Sequence, residues 1–247
     1  MVTSSTAHAI TTIEFGTPAH NSLPGDQLAL LAEAIDAAGA DDACQVVVLK
    51  SSGDRTFCAG ASFDELIAVS NEEEGLVFFS GFARVINAMR RCPKFIIGRV
   101  QGKAVGGGVG LLSACDLAYA TKFASIKLSE LAIGIGPFVI GPAVERKAGF
   151  ASFNEMAIRA DEWFDATYAQ RVGLYTEVLG DAAALDEAVL AKARTLAGYH
   201  TAALHDMKRV LWQGTDHWDE LLRERAAISG TLVTKPWTRR KLGEIKP

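Results

Sequence analysis

Cysteine is scarce in this chain: the four present, Cys44, Cys58, Cys92 and Cys115, are widely spaced, with no Cys-x-x-Cys and no neighbouring histidine group. That spacing offers neither a zinc site nor a disulfide framework, so the thiols read as reduced core residues. The five histidines, His8, His20, His200, His205 and His217, are scattered too, and surface or packing roles suffice for them. Positive charge is not in excess, since the net charge is −4 and the pI is near 5.8; no nucleic-acid footprint is expected. The one cationic group, Lys235, Arg239, Arg240, Lys241 and Lys246, reads as a solvated polar tail. Long apolar runs are missing as well. The longest uncharged stretch, Leu131 to Val144, is too short to span a bilayer and is broken by Gly134, Gly136, Pro137, Gly141 and Pro142. Residues 1–9 carry neither a basic leader nor an apolar core, so no membrane association is expected and a cytoplasmic location is the default.

What is present suits one large globular domain: 247 residues, 49% hydrophobic and 22% charged. Thr11, Ile13 and Phe15 alternate with polar neighbours, as in a half-buried strand, and Leu28, Leu31, Ile35 and Ala38 fall on one helical face that ends at Gly39. Gln45 to Lys50 is a short β-branched run, read as a buried strand. A helix is predicted over Glu72 to Arg91, where Phe78, Phe82, Val85 and Met89 share a face and Cys92-Pro93 stops it. Strands are expected at Lys94 to Val100, Leu117 to Ala120 and Ser125 to Leu128. Strand and helix alternate through the first two-thirds, an α/β signature, and everything after Asp181 is helical.

Three segments carry candidate chemistry. Thr56 to Ala61 is a loop of small residues, where a ligand can approach backbone N–H groups closely. Gly102 to Gly110 holds three consecutive glycines before an apolar helix; free N–H groups at a helix start attract anions, whereas close helix–sheet packing is the plain alternative. Its spacing matches neither a Walker loop nor a dinucleotide fingerprint. In the third segment, Lys127 to Pro137, the single carboxyl of Glu130 precedes a long apolar run. Such surroundings raise a carboxyl pKa toward neutrality, which suits a group that takes up and returns a proton.

The order Asn21-x-Leu23, Phe57-Cys-Ala-Gly-Ala61, Gly102-x-x-x-Gly-Gly-Gly108, Cys115-Asp116, Glu130-x-x-x-Gly134 and Ala169-x-x-x-Gly-Leu174 resembles the enoyl-CoA hydratase/isomerase (crotonase) superfamily over nearly the whole chain. The resemblance implies an α/β crotonase (ClpP-like) spiral of β-β-α units over residues 1–190, followed by a helical trimerisation region over 191–247. It also implies homotrimers or hexamers and an acyl-CoA substrate whose CoA lies near Cys58, Ala61 and Ser62. By motif position, the N–H groups of Ala59 and Gly107 would form an oxyanion hole and Glu130 would be the catalytic acid–base. No metal, and no cofactor beyond the CoA of the substrate, is implied.

The chain also departs from the family pattern. Hydratases of this kind carry a second glutamate where Gly110 stands; Phe138 interrupts the usual glycine-rich segment, which should narrow the acyl end of the pocket; Ser62 replaces an aspartate. Glu65, Glu72 to Glu74 and Glu145 are the other candidate assisting acids. Three readings follow: single-glutamate Δ3-Δ2-enoyl-CoA isomerisation, 2-enoyl-CoA hydration with or without a loop carboxylate, and a non-catalytic CoA-binding scaffold.

Overall fold

A computed structural model describes residues 1–245; Lys246 of the cationic group lies outside the described residues. The chain begins with a hairpin of β1 (Val2–Ala7) and β2 (Ile10–Phe15), turned by His8 and Ala9, both at positive φ. β1 was not expected from the sequence. Its side chains after Val2 are exposed, so it carries no alternating apolar signal. α1 (Gly25–Ala40) then buries Leu28, Leu31, Ile35 and Ala38, the predicted face.

The body repeats one unit. β3 (Val46–Ser51) is followed by β4 (Thr56–Cys58), α2 (Phe63–Ala68) and α3 (Glu72–Arg91). Next come β5 (Phe95–Val100), β6 (Lys103–Val105) and α4 (Gly107–Ala114), then β7 (Leu117–Thr121) and β8 (Ile126–Lys127). The first strand of each pair joins a large sheet, of order β1-β2-β3-β5-β7-β9 with β9 at Glu177–Leu179; the second joins a small sheet, β4-β6-β8. All neighbouring strands but β1 and β2 are parallel. This is the spiral of β-β-α turns that the motif order implied.

Before β9 lie α5 (Gly141–Ala148), α6 (Phe150–Ile158) and α7 (Ala166–Arg171), and after it α8 (Ala182–Ala197). The uninterrupted apolar run of β3 is explained by burial on both faces. Val47 and Leu49 enter the main core, while Val46 and Val48 pack with Ile97 and Tyr119 against Leu185 and Val189 of α8. A boundary at residue 190 therefore falls inside α8, a helix that covers one face of the large sheet.

Three helices complete the chain: α9 (Thr201–Leu211), α10 (Trp218–Val233) and α11 (Pro236–Ile245). Asp116, from the Cys-Asp pair, ties α9 to the sheet. Its carboxylate accepts the Ile96 N–H at 2.8 Å, the Trp212 indole N–H at 2.9 Å and the nearly buried Lys208 ammonium at 2.5 Å. α10 crosses α3 closely, because Gly75 and Gly230 meet: a Cβ on Gly75 would stand 2.6 Å from Gly230 Cα. α11 is not a solvated tail. The Arg239 guanidinium donates to the Ile67 and Val69 carbonyls at the end of α2, and Leu242 is buried with Leu66, Val69, Ile135 and Val233. No described helix is long and apolar enough to cross a membrane.

Candidate active site

The small sheet sets the geometry. Because β4, β6 and β8 are parallel neighbours, the three segments singled out in the sequence leave from the same edge of one sheet, at the carboxyl ends of its strands. The loop 59–61 follows β4, the triple glycine follows β6, and Glu130 follows β8. Together they line a cavity of about 160 Å³.

Gly106 joins two of these segments. It sits at φ 51°, where an L side chain is strained, and a Cβ there would lie 2.9 Å from Glu130 Oε1. Its N–H is held by the Lys127 carbonyl at 2.9 Å, which fixes the start of α4 against β8. Gly107 is the first residue of α4, so its N–H has no partner within the helix. The two donor loops are close: a Cβ on Gly60 would stand 3.7 Å from Gly107 N.

Ala59 departs from expectation. Its N–H donates to the His20 carbonyl at 3.2 Å and is thereby committed within the chain. The free amide of this loop is two residues on. In the parallel bridge between Leu23 and Ala61, the Leu23 N–H donates to Gly60 O at 2.8 Å and the Ser62 N–H to Leu23 O at 3.2 Å. That pattern leaves the N–H of Ala61 on the side away from Leu23, and Ala61 lines the cavity. Cys58 lies beneath the loop, fully buried, with its Sγ accepting the Gly60 N–H and its thiol pKa pushed up to about 12 by burial. The Ser62 hydroxyl accepts the Glu65 N–H at 3.3 Å and caps α2. Of the positions expected near CoA, Ala61 alone faces the cavity.

Glu130 is the one carboxyl among the described residues that lines the cavity. The cavity it lines is largely apolar, walled by Phe82, Val105, Ile133, Ile135 and Ile140 among others. One carboxyl oxygen, Oε2, is buried without a hydrogen-bond partner. Burial raises its pKa to about 7, against a smaller opposing pull from its own backbone N–H.

The other acids singled out in the sequence lie outside this cavity. Glu65 Oε2 accepts the Gly25 N–H at 2.9 Å, at the start of α1. Glu74 accepts from Ser70 and Asn71 at the start of α3, and Glu72 faces Lys235 at 3.9 Å. Glu145 lines an adjoining cavity that shares Gly136, Pro137 and Phe138 with the first. No side chain fits at Gly110, because a Cβ there would lie 2.5 Å from Ile140 Cγ2. Ile140 fills the space a second glutamate would need. Phe138 stands between the two cavities, its ring against Gly136.

One polar group in this site carries no signal in the sequence. Ser229 of α10 lines the cavity from a helix some hundred residues downstream, and no local pattern distinguishes it from a packing serine.

A β-β-α spiral with its candidate site at the strand ends of a small parallel sheet is the crotonase architecture. The family model described as Enoyl-CoA hydratase/isomerase matches residues 5–236. The mitochondrial methylglutaconyl-CoA hydratase of Rattus norvegicus is 32% identical over 226 residues, covering 87% of this chain and 70% of that protein. The peroxisomal Delta(3,5)-Delta(2,4)-dienoyl-CoA isomerase of Arabidopsis thaliana is 28% identical over 210 residues, covering 78% and 74%. The crystal structure of enoyl-CoA hydratase from Bacillus halodurans superposes with a TM-score of 0.91 over 99% of both chains at 19% identity, a likeness of fold. This chain belongs to the enoyl-CoA hydratase/isomerase family and is an enzyme of the crotonase type. The non-catalytic scaffold reading has no support beside this.

Proposed function

We propose that the protein converts 3-enoyl-CoA thioesters to their 2-enoyl isomers, with Glu130 as the sole acid–base group. The observation that carries this is one carboxyl in an apolar cavity, held near neutrality by burial, beside a Gly110 position with no room for a second. Ionised Glu130 removes a proton from C2. The electron pair moves onto the thioester oxygen, where the N–H groups of Gly107 and Ala61 stabilise the enolate; losing one such donor typically costs about 3 kcal/mol. Glu130 then returns the proton at C4 as the charge flows back, so the double bond moves from C3–C4 to C2–C3 and nothing is consumed. Ala61 takes the donor role that motif position had given to Ala59.

The CoA is part of the substrate. We place it along the loop that follows β4, with Ala61 and the backbone of Ser62 nearest the thioester. Exposed apolar residues on the C-terminal helices and on α6, among them Met207, Val210, Leu211 and Ile158, support self-association, for which the family resemblance gives a homotrimer or hexamer; sedimentation measures which. Hydration is the second reading, favoured by the name of the rat relative and opposed by Ile140 in the space of a second acid. The deciding experiment supplies 3-enoyl-CoA and 2-enoyl-CoA separately to the purified protein. Formation of the conjugated 2-enoyl thioester from the first, without loss of it from the second, supports isomerisation; loss from the second with no isomerisation refutes it.

A further inference from the structure

Ser113, a buried helical serine, donates its hydroxyl to the Val109 carbonyl one turn back at 2.7 Å, the usual way such a group is satisfied. Ser229 does not. It is 1% exposed, its Oγ has no hydrogen-bond partner among the described residues, and it lines the same cavity as Glu130. Packing gives no reason for an oxygen there. The adjacent turn of α10 uses Ala226 and Gly230, which have no polar side-chain atoms, and Gly230 makes a close approach to α3 at Gly75. Apart from Ser129 and Glu130, the other side chains lining the cavity are apolar, Leu66, Phe78, Phe79, Phe82 and Ile135 among them. An unpartnered hydroxyl in such a place costs free energy until a ligand atom pairs with it.

We propose that Ser229 is a specificity residue whose hydroxyl pairs with a neutral oxygen, a hydroxyl or a carbonyl, carried on the acyl chain beyond the reacting carbons. A carboxylate does not fit, because among the described residues no cationic side chain lines the cavity. This inference rests on the reading that the cavity holds the acyl chain, and it names the class of chain.

Saturated thioesters test it without turnover. Binding of hexanoyl-CoA and of its 4-, 5- and 6-hydroxy forms is measured by calorimetry on the wild-type protein and on Ser229→Ala. At least one hydroxy form is expected to bind about tenfold more tightly than hexanoyl-CoA, a neutral hydrogen bond in a dry site. In Ser229→Ala that preference shrinks to about twofold or less, with hexanoyl-CoA affinity unchanged. Without ligand, the variant melts no lower than the wild type, since it loses an unpaired group. Equal binding of all four thioesters, a preference that survives Ser229→Ala, or a clear drop in the variant's melting temperature overturns the inference. If no thioester binds at all, it is the acyl-CoA reading of the cavity that fails.

Discussion

Replacing Glu130 by glutamine separates the two properties that burial gives this side chain. Raising a carboxyl from 4.5 to about 7 means the folded protein disfavours the ionised form by about 3 kcal/mol. The unfolded chain releases that proton near pH 4.5, whereas the folded chain keeps it until about pH 7. The stability gained from holding it is therefore complete below pH 4.5, declines as the pH rises through 7, and is gone above about pH 8. Glutamine is neutral throughout and fits the same space. Glu130→Gln is thus expected to match the wild type near pH 4 and to exceed it by roughly 3 kcal/mol at pH 8. Urea unfolding of both proteins at several pH values measures the difference, and all other titrating groups cancel. In the same variant, isomerase turnover should fall by roughly 10²–10⁴-fold, and the wild-type kcat/KM should show an acidic limb centred near pH 7. A stability difference that is flat with pH would mean that Glu130 is not held out of water and that burial does not set its protonation.

Other changes test the walls and supports of the site. Gly110→Glu drives a side chain into Ile140 and buries a charge; we expect a loss of at least about 3 kcal/mol in urea unfolding and no hydration of 2-enoyl-CoA. Phe138→Ala removes the partition between the acyl cavity and its neighbour, so kcat/KM should shift toward longer or branched chains; an unchanged chain-length profile counts against that role. Asp116→Asn leaves the ammonium of Lys208 buried without its counter-charge and should cost about 3–5 kcal/mol, most of it recovered when Lys208 is also replaced by methionine. Gly106→Ala places a methyl group against Glu130 at a strained backbone angle, and should lower kcat far more than the affinity for CoA.

Much of the scaffold is legible in the chain because its signals are local. α3 runs from Glu72 to Arg91 as read from its apolar face and the Cys92-Pro93 stop, and the β-branched run that became β3 was shifted by only one residue. The candidate chemistry was legible as three segments, since glycine, small residues and an isolated carboxyl carry their meaning in sequence. What brings them together was not. Of the small sheet only β8 was expected, within Ser125 to Leu128; β4 and β6 are three residues long, too short for any periodicity, and β1 is too exposed for one. Which amide of the loop 59–61 is free depends on the bridge to Leu23, a contact between distant segments, so motif position alone pointed to Ala59. The same limit applies to Arg239, which reads as a tail cation until α11 folds back onto α2, and to Ser229, which α10 brings to the cavity only by crossing α3 at two glycines.

In the proposed mechanism a single carboxyl, that of Glu130, both takes and returns the proton. The most direct measurement follows a 3-enoyl-CoA deuterated at C2 through turnover in ordinary water, with the product analysed by NMR. Transfer by Glu130 places deuterium at C4 of the 2-enoyl product; product bearing only solvent hydrogen at C4, formed equally well by Glu130→Gln, rules that transfer out.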